Sequence, residues 1–102
     1  MEKQQQANEQ HWKLLVLMLK KIAKETSITH QEIAEKTGLQ KSNVTRVFSL
    51  KYCPTMANFL AIANAIGVNF FFEDKDSTVE LNEIFEQAMT ELGRRPDNLS
   101  EN

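Results

Sequence analysis

The chain has 102 residues, a hydrophobic fraction of 41% and a formal net charge of −2. This length suits one domain with a short appendage, and the hydrophobic fraction is sufficient for a compact core of roughly 60 residues. A single cysteine excludes an internal disulfide, and three glycines with two prolines favour long helices over frequent turns.

The cysteine and the polar start of the chain bear on redox state and location. We expect Cys53 to be a buried small hydrophobe in a reducing compartment, because a metal site needs more ligands than Cys53, His11 and His30 supply. The start, MEKQQQANEQ, is no signal peptide, and the apolar run from Trp12 to Leu19 is too short to span a bilayer. The sequence therefore predicts a cytoplasmic protein with no metal and no membrane segment.

The net charge hides a strong asymmetry between the two halves of the chain. Residues 1–52 contain nine Lys/Arg and five Asp/Glu, a balance of +4, whereas residues 53–102 contain three and nine, a balance of −6. A local basic face, and not the overall sum, steers a protein towards phosphate. The N-terminal half is therefore compatible with nucleic-acid binding.

Residues 1–9 are predicted to form a flexible polar tail, and the first helix is predicted over residues 10–25. Apolar residues recur on one face of this helix at three- and four-residue spacing: Trp12, Leu15, Val16, Leu19, Ile22 and Ala23. Leu14, Leu17 and Met18 widen that face, so we expect the helix to be buried on more than one side. The lysines lie mainly on the opposite face, where the simplest interpretation is a solvated surface.

A break at residues 26–27 precedes a pair of short helices. Thr29 is the predicted N-cap of the second helix, and Glu32 completes a capping box three residues later. Gly38 supplies the left-handed residue that ends this helix. The third helix is predicted to begin between residues 40 and 42 and to end near Ser49. The expected inward side chains of the pair are Ile33, Ala34, Leu39, Val44, Val47 and Phe48.

The fourth helix is predicted between a Thr55 cap and Gly67. Its predicted apolar side consists of Met56, Phe59, Leu60, Ile62, Ala63 and Ile66. Residues 68–72 are expected to be either a short strand or an extension that fills the core. After an acidic turn at residues 73–77, a last helix is predicted over residues 79–92, and the remainder of the chain is predicted to be disordered.

Two short helices joined by a tight turn can form a helix-turn-helix when three positions suit the crossing. A small residue must lie where the helices cross, a glycine must lie in the turn, and an apolar residue on the second helix must face the first. Ala34, Gly38 and Val44 meet these requirements. The sequence from Thr29 to Val47 therefore predicts a helix-turn-helix.

The residues that carry this motif also resemble a known family. The segment ITHQEIAEKTGL (28–39) is similar to the second helix and turn of Cro/repressor-type (XRE-type) helix-turn-helix domains. The match continues through KSNVTR (41–46) as the recognition helix and FLAIANAIGV (59–68) as the fourth helix, and it covers roughly residues 13–72. It implies an all-α fold with a compact four- to five-helix domain over residues 10–72. The acidic C-terminal helix and tail predicted in residues 73–102 are additional to that domain, and the family domain does not need them.

The resemblance also implies the residues that contact DNA. The positions that match base contacts in the major groove are Gln40, Lys41, Ser42 and Arg46, and the adjacent Asn43 is expected to contact a base or a phosphate. Gln suits adenine, Lys and Arg suit guanine, and Ser suits either. The positions that match phosphate contacts are Thr29, His30 and the N-terminal amides of the second helix. Lys51 and Tyr52, in the loop after the recognition helix, are further expected phosphate donors.

Each of these residues also has a simpler interpretation. Lys41 and Arg46 can be ordinary exposed cations, and Ser42 and Asn43 can cap the helix instead of contacting bases. His30 stands where the family usually has Gln, and Lys51 with Tyr52 can be plain loop surface. The family often has Gly at position 50; Leu50 there suggests a different exit from the recognition helix, which weakens the case for contacts by the loop.

The last helix offers an apolar surface for dimerisation or for a protein partner. The residues expected to supply it are Phe71, Ile84, Phe85 and Met89. The simpler alternative is that this helix folds back onto its own domain. Its glutamates are expected to face solvent and to lie away from DNA.

These features predict a sequence-specific transcriptional regulator, a repressor that binds double-stranded DNA as a homodimer and needs no cofactor. The alternative is an antitoxin-type or adaptor protein whose C-terminal segment, residues 73–102, binds a protein partner. An enzyme is not expected, because the sequence shows no nucleophile–base pair, no metal-ligand cluster and no glycine-rich phosphate loop.

Overall fold

The computed structural model describes residues 2–70, 73, 76 and 78–93, the side chains of residues 2–4 excepted. Over these residues the chain is helical with no strand, which confirms the predicted all-α class. The helices are α1 (Glu2–Glu25), α2 (His30–Thr37), α3 (Lys41–Phe48), α4 (Met56–Ile66) and α5 (Leu81–Leu92). The chain divides into two units, Met1–Val68 with α1 to α4 and Asn69–Asn102 with α5.

Helix α1 begins at Glu2, eight residues before the start that the sequence predicted. The N-terminal segment consists mostly of Glu, Lys, Gln and Ala, which favour helix, and contains no Gly or Pro. The side chains of residues 5–10 are exposed. Periodicity detects the buried face of a helix, so a solvated extension of this kind carries no such signal. The predicted boundary at residue 10 is therefore corrected.

The C-terminal end of α1 is a left-handed turn built without glycine. Ser27 has a φ of 59°, and the N–H of Ile28 donates to the carbonyl of Ala23 at 2.9 Å. This is the hydrogen-bond pattern of a Schellman cap. The Thr26 hydroxyl donates to the carbonyl of Ile22 at 2.8 Å. The break predicted at residues 26–27 is thereby confirmed, and Ile28 is brought against the core.

The core of the first unit is assembled from all four of its helices. Its buried hydrophobic residues are Val16, Leu19, Ala23, Ile33, Ala34, Val44, Val47, Phe48, Ile62, Ala63 and Ile66. Ile33 and Val44, one from each helix of the predicted motif, are completely buried. Leu39 is partly buried and packs against this core, as predicted. The crossing of α2 and α3 is thus fixed by the same core that holds α1 and α4.

Five apolar residues that the sequence placed inside are on the surface. Leu14 and Met18 on α1 are exposed, as are Met56 and Leu60 on α4. Helix α1 contacts α3 and α4, and this leaves part of the wide apolar face in solvent. Cys53 is also exposed, because it lies in the irregular segment between α3 and α4, where no helix covers it. The prediction that Cys53 is buried is wrong.

The fourth helix ends as predicted, and the segment after it forms no strand among its described residues. Gly67 has a φ of 96°, and the N–H of Val68 donates to the carbonyl of Ala63 at 3.0 Å. The Val68 side chain packs against the core of the first unit, whereas Phe70 is exposed. Phe71 and Phe72 lie outside the described residues. Of the two alternatives for this segment, Val68 fits the core-filling one.

Helix α5 contains no buried residue, and Ile84 and Leu92 of its predicted apolar surface are exposed. Its N-cap is Glu80, whose carboxylate accepts from the N–H of Asn82, and its C-cap is Gly93 in a left-handed conformation. Its glutamates are exposed, as predicted. Among the described residues, no helix combines the length and the apolar character that crossing a membrane requires.

Candidate nucleic-acid interface

The start of α2 is a complete capping box. The Thr29 hydroxyl oxygen accepts from the N–H of Glu32 at 3.1 Å, and the N–H of Thr29 donates to the Glu32 carboxylate at 3.0 Å. The Thr29 hydroxyl also donates to that carboxylate, at 3.1 Å. The backbone N–H and then the hydroxyl of Thr29 lower the pKa of Glu32. Both donors of Thr29 are thus engaged by Glu32, and this weakens the prediction that Thr29 contacts a phosphate.

The turn between α2 and α3 is held by Thr37 and Gly38. The Thr37 hydroxyl donates to the carbonyl of Ile33 at 2.8 Å and accepts from the N–H of Leu39 at 3.1 Å. Gly38 has a φ of 79°, and its N–H donates to the carbonyl of Ala34 at 2.9 Å. An added Cβ at Gly38 would meet nothing within 4 Å, so glycine is required for its backbone conformation and not for space.

Helix α3 presents two opposite faces. Val44, Val47 and Phe48 are buried, which fixes the helix against the core. Ser42 and Arg46, four residues apart, lie at the centre of the opposite face, because positions i and i+4 share one side of a helix. All five residues predicted to contact bases are exposed: Gln40, Lys41, Ser42, Asn43 and Arg46.

Ser42 and Asn43 do not cap α3, so the capping interpretation of these two residues is wrong. The N-cap of α3 is Gln40, and its side chain makes no capping hydrogen bond. Ser42 and Asn43 lie in the first turn, after the cap, and neither side chain forms a hydrogen bond within the described structure. Their polar groups are therefore available to a ligand.

His30 connects the start of α2 to the exposed side of α3. Its Nδ1 lies 2.9 Å from the Thr45 hydroxyl oxygen, and its ring packs on the ring of Phe48 with the centroids 5.1 Å apart. These contacts join α2 to α3 and help to fix the position of one helix relative to the other. The side chain that was predicted to contact phosphate is thus half-buried and has a bridging role inside the protein.

The chain leaves α3 through a left-handed residue. The Ser49 hydroxyl donates to the carbonyl of Arg46 at 2.6 Å, and Leu50 has a φ of 65°. The exit is therefore the one that a glycine commonly provides at a helix end, so the expectation of a different exit geometry is not met. The Leu50 side chain is partly buried against the core, which gives a physical reason for leucine at this position.

The turn at Leu50 brings the following loop back to the recognition helix. The guanidinium carbon of Arg46 lies 4.1 Å from the centroid of the Tyr52 ring, and both side chains are exposed. Sequence periodicity could not reveal this pair, because it depends on the backbone conformation at residue 50. A surface groove of about 260 Å³ lies beside it, lined by Asn43, Arg46, Val47, Tyr52, Cys53, Pro54, Thr55 and Asn58.

The cations of this surface are not neutralised within the protein. Lys41, Arg46 and Lys51 form no ion pair with any described carboxylate. The ion pair observed in the described part of the chain joins Lys13 and Glu9, on α1. The same part of the chain contains no cluster of His, Cys, Asp or Glu side chains that could hold a metal ion. The exposed surface of α3 and the loop therefore carries positive charge that no described carboxylate neutralises.

The residues predicted to form a dimer or partner surface are described on α5 alone. Ile84 is exposed, whereas Phe85 and Met89 are partly exposed. Phe85 and Met89, four residues apart, share one side of the helix, and Ile84 lies at the edge of that side. Phe71 lies outside the described residues. The described surface is therefore apolar and belongs to the second unit.

Comparison with known proteins supports the geometry of the first unit. The family model described as helix-turn-helix, of the Cro/repressor (XRE) type, matches residues 19–72, just over half of the chain. No curated protein and no solved structure gave a significant match. The matched range contains α2, the turn at Gly38, α3 and α4. The chain therefore belongs to the Cro/repressor-type (XRE-type) helix-turn-helix family, whose members are DNA-binding regulators.

Proposed function

We propose that this protein is a cytoplasmic transcriptional repressor that recognises a specific double-stranded DNA sequence by placing α3 in the major groove. One observation carries the proposal. The exposed face of α3 presents Lys41, Ser42, Asn43 and Arg46 without a hydrogen bond or ion pair to the described protein, while its other face is buried. A rigidly anchored helix with unsatisfied polar groups is suited to bind base edges.

The polar groups on α3 match the chemistry of the major groove. The Arg46 guanidinium and the Lys41 ammonium can donate to O6 and N7 of guanine, and Gln40 can pair with N6 and N7 of adenine. Ser42 can donate or accept at several bases. Ser42 and Arg46 lie one turn apart on the same side of α3. We therefore assign the centre of the contact with the bases to these two residues, and the edges of that contact to Lys41 and Asn43.

We assign the phosphate contacts to groups that remain free at the edges of the motif. The backbone N–H groups of His30 and Gln31 lie in the first turn of α2, where a helix attracts anions. Lys51 supplies a cation beyond the other end of α3. Thr29 is left out of this assignment because Glu32 engages both of its donors. Because the Glu32 carboxylate at this end is negatively charged, the N–H groups of His30 and Gln31 attract an anion less strongly than they would beside an uncharged cap.

A homodimer is proposed because one such domain spans a short half-site. Two recognition helices about 34–36 Å apart read two half-sites one helical turn apart. We assign dimerisation to the apolar side of α5, which includes Ile84, Phe85 and Met89. The support is that α5 has no buried residue and leaves Ile84 and Leu92 exposed.

The test is binding of the whole chain to a duplex selected from a randomised pool. We predict that Arg46→Ala weakens specific binding by about 1–3 kcal/mol, because a guanidinium–base contact is lost. Lys24→Ala is the matched control, since it removes an exposed cation from α1, outside the motif. Equal affinity of Arg46→Ala and the parent for the selected duplex would refute the role of Arg46.

An antitoxin-type or adaptor function is the second candidate, and the exposed apolar side of α5 favours it. In that case residues 73–102 bind a protein while the first unit binds DNA. A stoichiometric partner that co-purifies with the whole chain and is lost on Ile84→Asp would support this function. Self-association of the purified chain without any other protein would favour the homodimer instead.

A further inference from the structure

We propose that Tyr52 acts as a platform that positions Arg46 for base recognition, and that it does not serve mainly as a phosphate donor. This inference rests on the proposed function, because Arg46 is the residue through which Tyr52 acts. The observation that carries it is the stacking of the Arg46 guanidinium over the Tyr52 ring at 4.1 Å.

Stacking on Tyr52 is compatible with base recognition by Arg46. The guanidinium carbon lies over the Tyr52 ring at 4.1 Å, and the N–H donors of a guanidinium radiate outwards from that carbon in the guanidinium plane. Those donors form no hydrogen bond within the described protein. The N–H donors of the Arg46 guanidinium can therefore approach a base edge while the guanidinium remains in contact with the Tyr52 ring.

The backbone after α3 is arranged to make this contact. The hydrogen bond from Ser49 to the Arg46 carbonyl tightens the end of the helix, and the left-handed Leu50 reverses the chain. On the far side, the Thr55 hydroxyl caps α4 by accepting from the N–H of Asn58 at 3.1 Å. Tyr52 lies in the short segment between these two fixed points.

A platform of this kind affects specificity more than general affinity for DNA. An exposed arginine has many rotamers, and ordering it on binding costs entropy. A guanidinium already stacked on a ring loses less freedom when it binds a base. The advantage is confined to the base pair that Arg46 contacts, whereas a hydroxyl bonded to a phosphate would contribute at every sequence alike.

The test compares Tyr52→Phe with Tyr52→Leu on the selected duplex and on its single-base variants. We expect Tyr52→Phe, which keeps the ring, to bind like the parent. We expect Tyr52→Leu to weaken specific binding about two- to fivefold, the size of an exposed cation–π contact, and to reduce by the same factor the discrimination at the base pair that depends on Arg46. In an Arg46→Ala background, Tyr52→Leu should have no further effect.

Two results would overturn the proposal. If Tyr52→Phe binds as weakly as Tyr52→Leu, the hydroxyl is the functional group and the phosphate role stands. If Tyr52→Leu has the same effect with and without Arg46, the residue does not act through Arg46. Circular dichroism and thermal melting of each variant control for folding.

A measurement without DNA separates this proposal from the proposed function. Ring currents of Tyr52 should shift the side-chain proton resonances of Arg46 in the free protein, and Tyr52→Leu should abolish that shift. Absence of the shift overturns the platform even if the protein binds DNA specifically. If the shift is present but no duplex is selected from the pool, the stacking stands and the proposed function fails.

Discussion

Ser27 and Leu50 are the two described residues other than glycine that have a positive φ, and each lies just after a helix. For L-amino acids the left-handed conformation costs roughly 1–2 kcal/mol, so both positions store strain. Leu50 offsets this cost through its partly buried side chain. Ser27 is exposed and has no such compensation.

We predict that Ser27→Gly stabilises the protein by about 0.5–1 kcal/mol. Glycine removes the left-handed strain, and its greater freedom in the unfolded chain takes back part of that gain. Urea unfolding gives the free energy. Ser27→Ala is the control, because it keeps a Cβ and should give no comparable gain. A Ser27→Gly variant no more stable than Ser27→Ala would show that this turn is not strained.

The capping box makes a pH-dependent contribution to stability. The pKa of Glu32 is lowered in the folded protein by the N–H and hydroxyl of Thr29. The stabilisation is therefore complete above the pKa of Glu32 in the unfolded chain, and it is lost as the pH falls through the lowered folded pKa. We predict that Glu32→Gln is less stable than the parent near neutral pH and that the difference disappears once the pH falls below the lowered folded pKa of Glu32.

Denaturant unfolding of the two proteins across that pH range measures this difference. In a Thr29→Ala background the pH-dependent part should shrink, because one of the two hydrogen bonds to the carboxylate is gone. A stability difference that stays constant from neutral to acid pH would show that Glu32 does not stabilise α2 through its charge.

At the scale of elements, α3 and α5 differ in what they bury. Three residues of α3 are buried, whereas α5 has none. Helix α3 is held by the core and presents polar groups, whereas α5 presents apolar groups with glutamates around them. This contrast underlies our assignment of DNA to one helix and of a protein surface to the other.

We predict that Ile84→Asp weakens self-association about tenfold or more, because burying an unpaired carboxylate costs more than the roughly 1.4 kcal/mol that corresponds to tenfold. Analytical ultracentrifugation over a range of concentrations measures the effect. Gln87→Asp is the control, since it places the same charge on an exposed polar position of α5. A parent that remains monomeric, or equal weakening by both variants, contradicts the assignment of the dimer surface to α5.

At the scale of the whole molecule, the distribution of charge along the chain agrees with the functions that we propose for its two units. The half with a balance of +4 contains α2, α3 and the loop after α3, and the half with −6 contains α5. A basic recognition unit attracts DNA from a distance, and this attraction weakens as salt increases. The low net charge of −2 therefore does not argue against a DNA-binding function.

The sequence allowed the central part of the fold to be predicted because local signals and packing agree there. Thr29 with Glu32, Gly38 and Gly67 are caps whose chemistry requires those residue types, and each is observed in that role. The buried Val44 follows from its spacing on α3. These features define the helix-turn-helix without any knowledge of tertiary contacts.

Other features depended on tertiary structure and could not be predicted. Leu14 and Met18 lie on an apolar face, but only the neighbours of α1 decide which part of that face is covered. The exposed start of α1 lacks a periodic pattern. The stacking of Arg46 on Tyr52 requires the turn at Leu50, and leucine gives no sign that it will adopt a glycine-like conformation.

The most direct test of the account replaces single purines of the selected duplex by their 7-deaza analogues, which lack the N7 acceptor of the major groove and keep Watson–Crick pairing. We predict that at least one replacement weakens binding of the parent by about 1–3 kcal/mol, and that Arg46→Ala is insensitive to one such replacement. If no 7-deazapurine affects the affinity of the parent, or if Arg46→Ala keeps every sensitivity of the parent, then α3 does not read the major groove through Arg46.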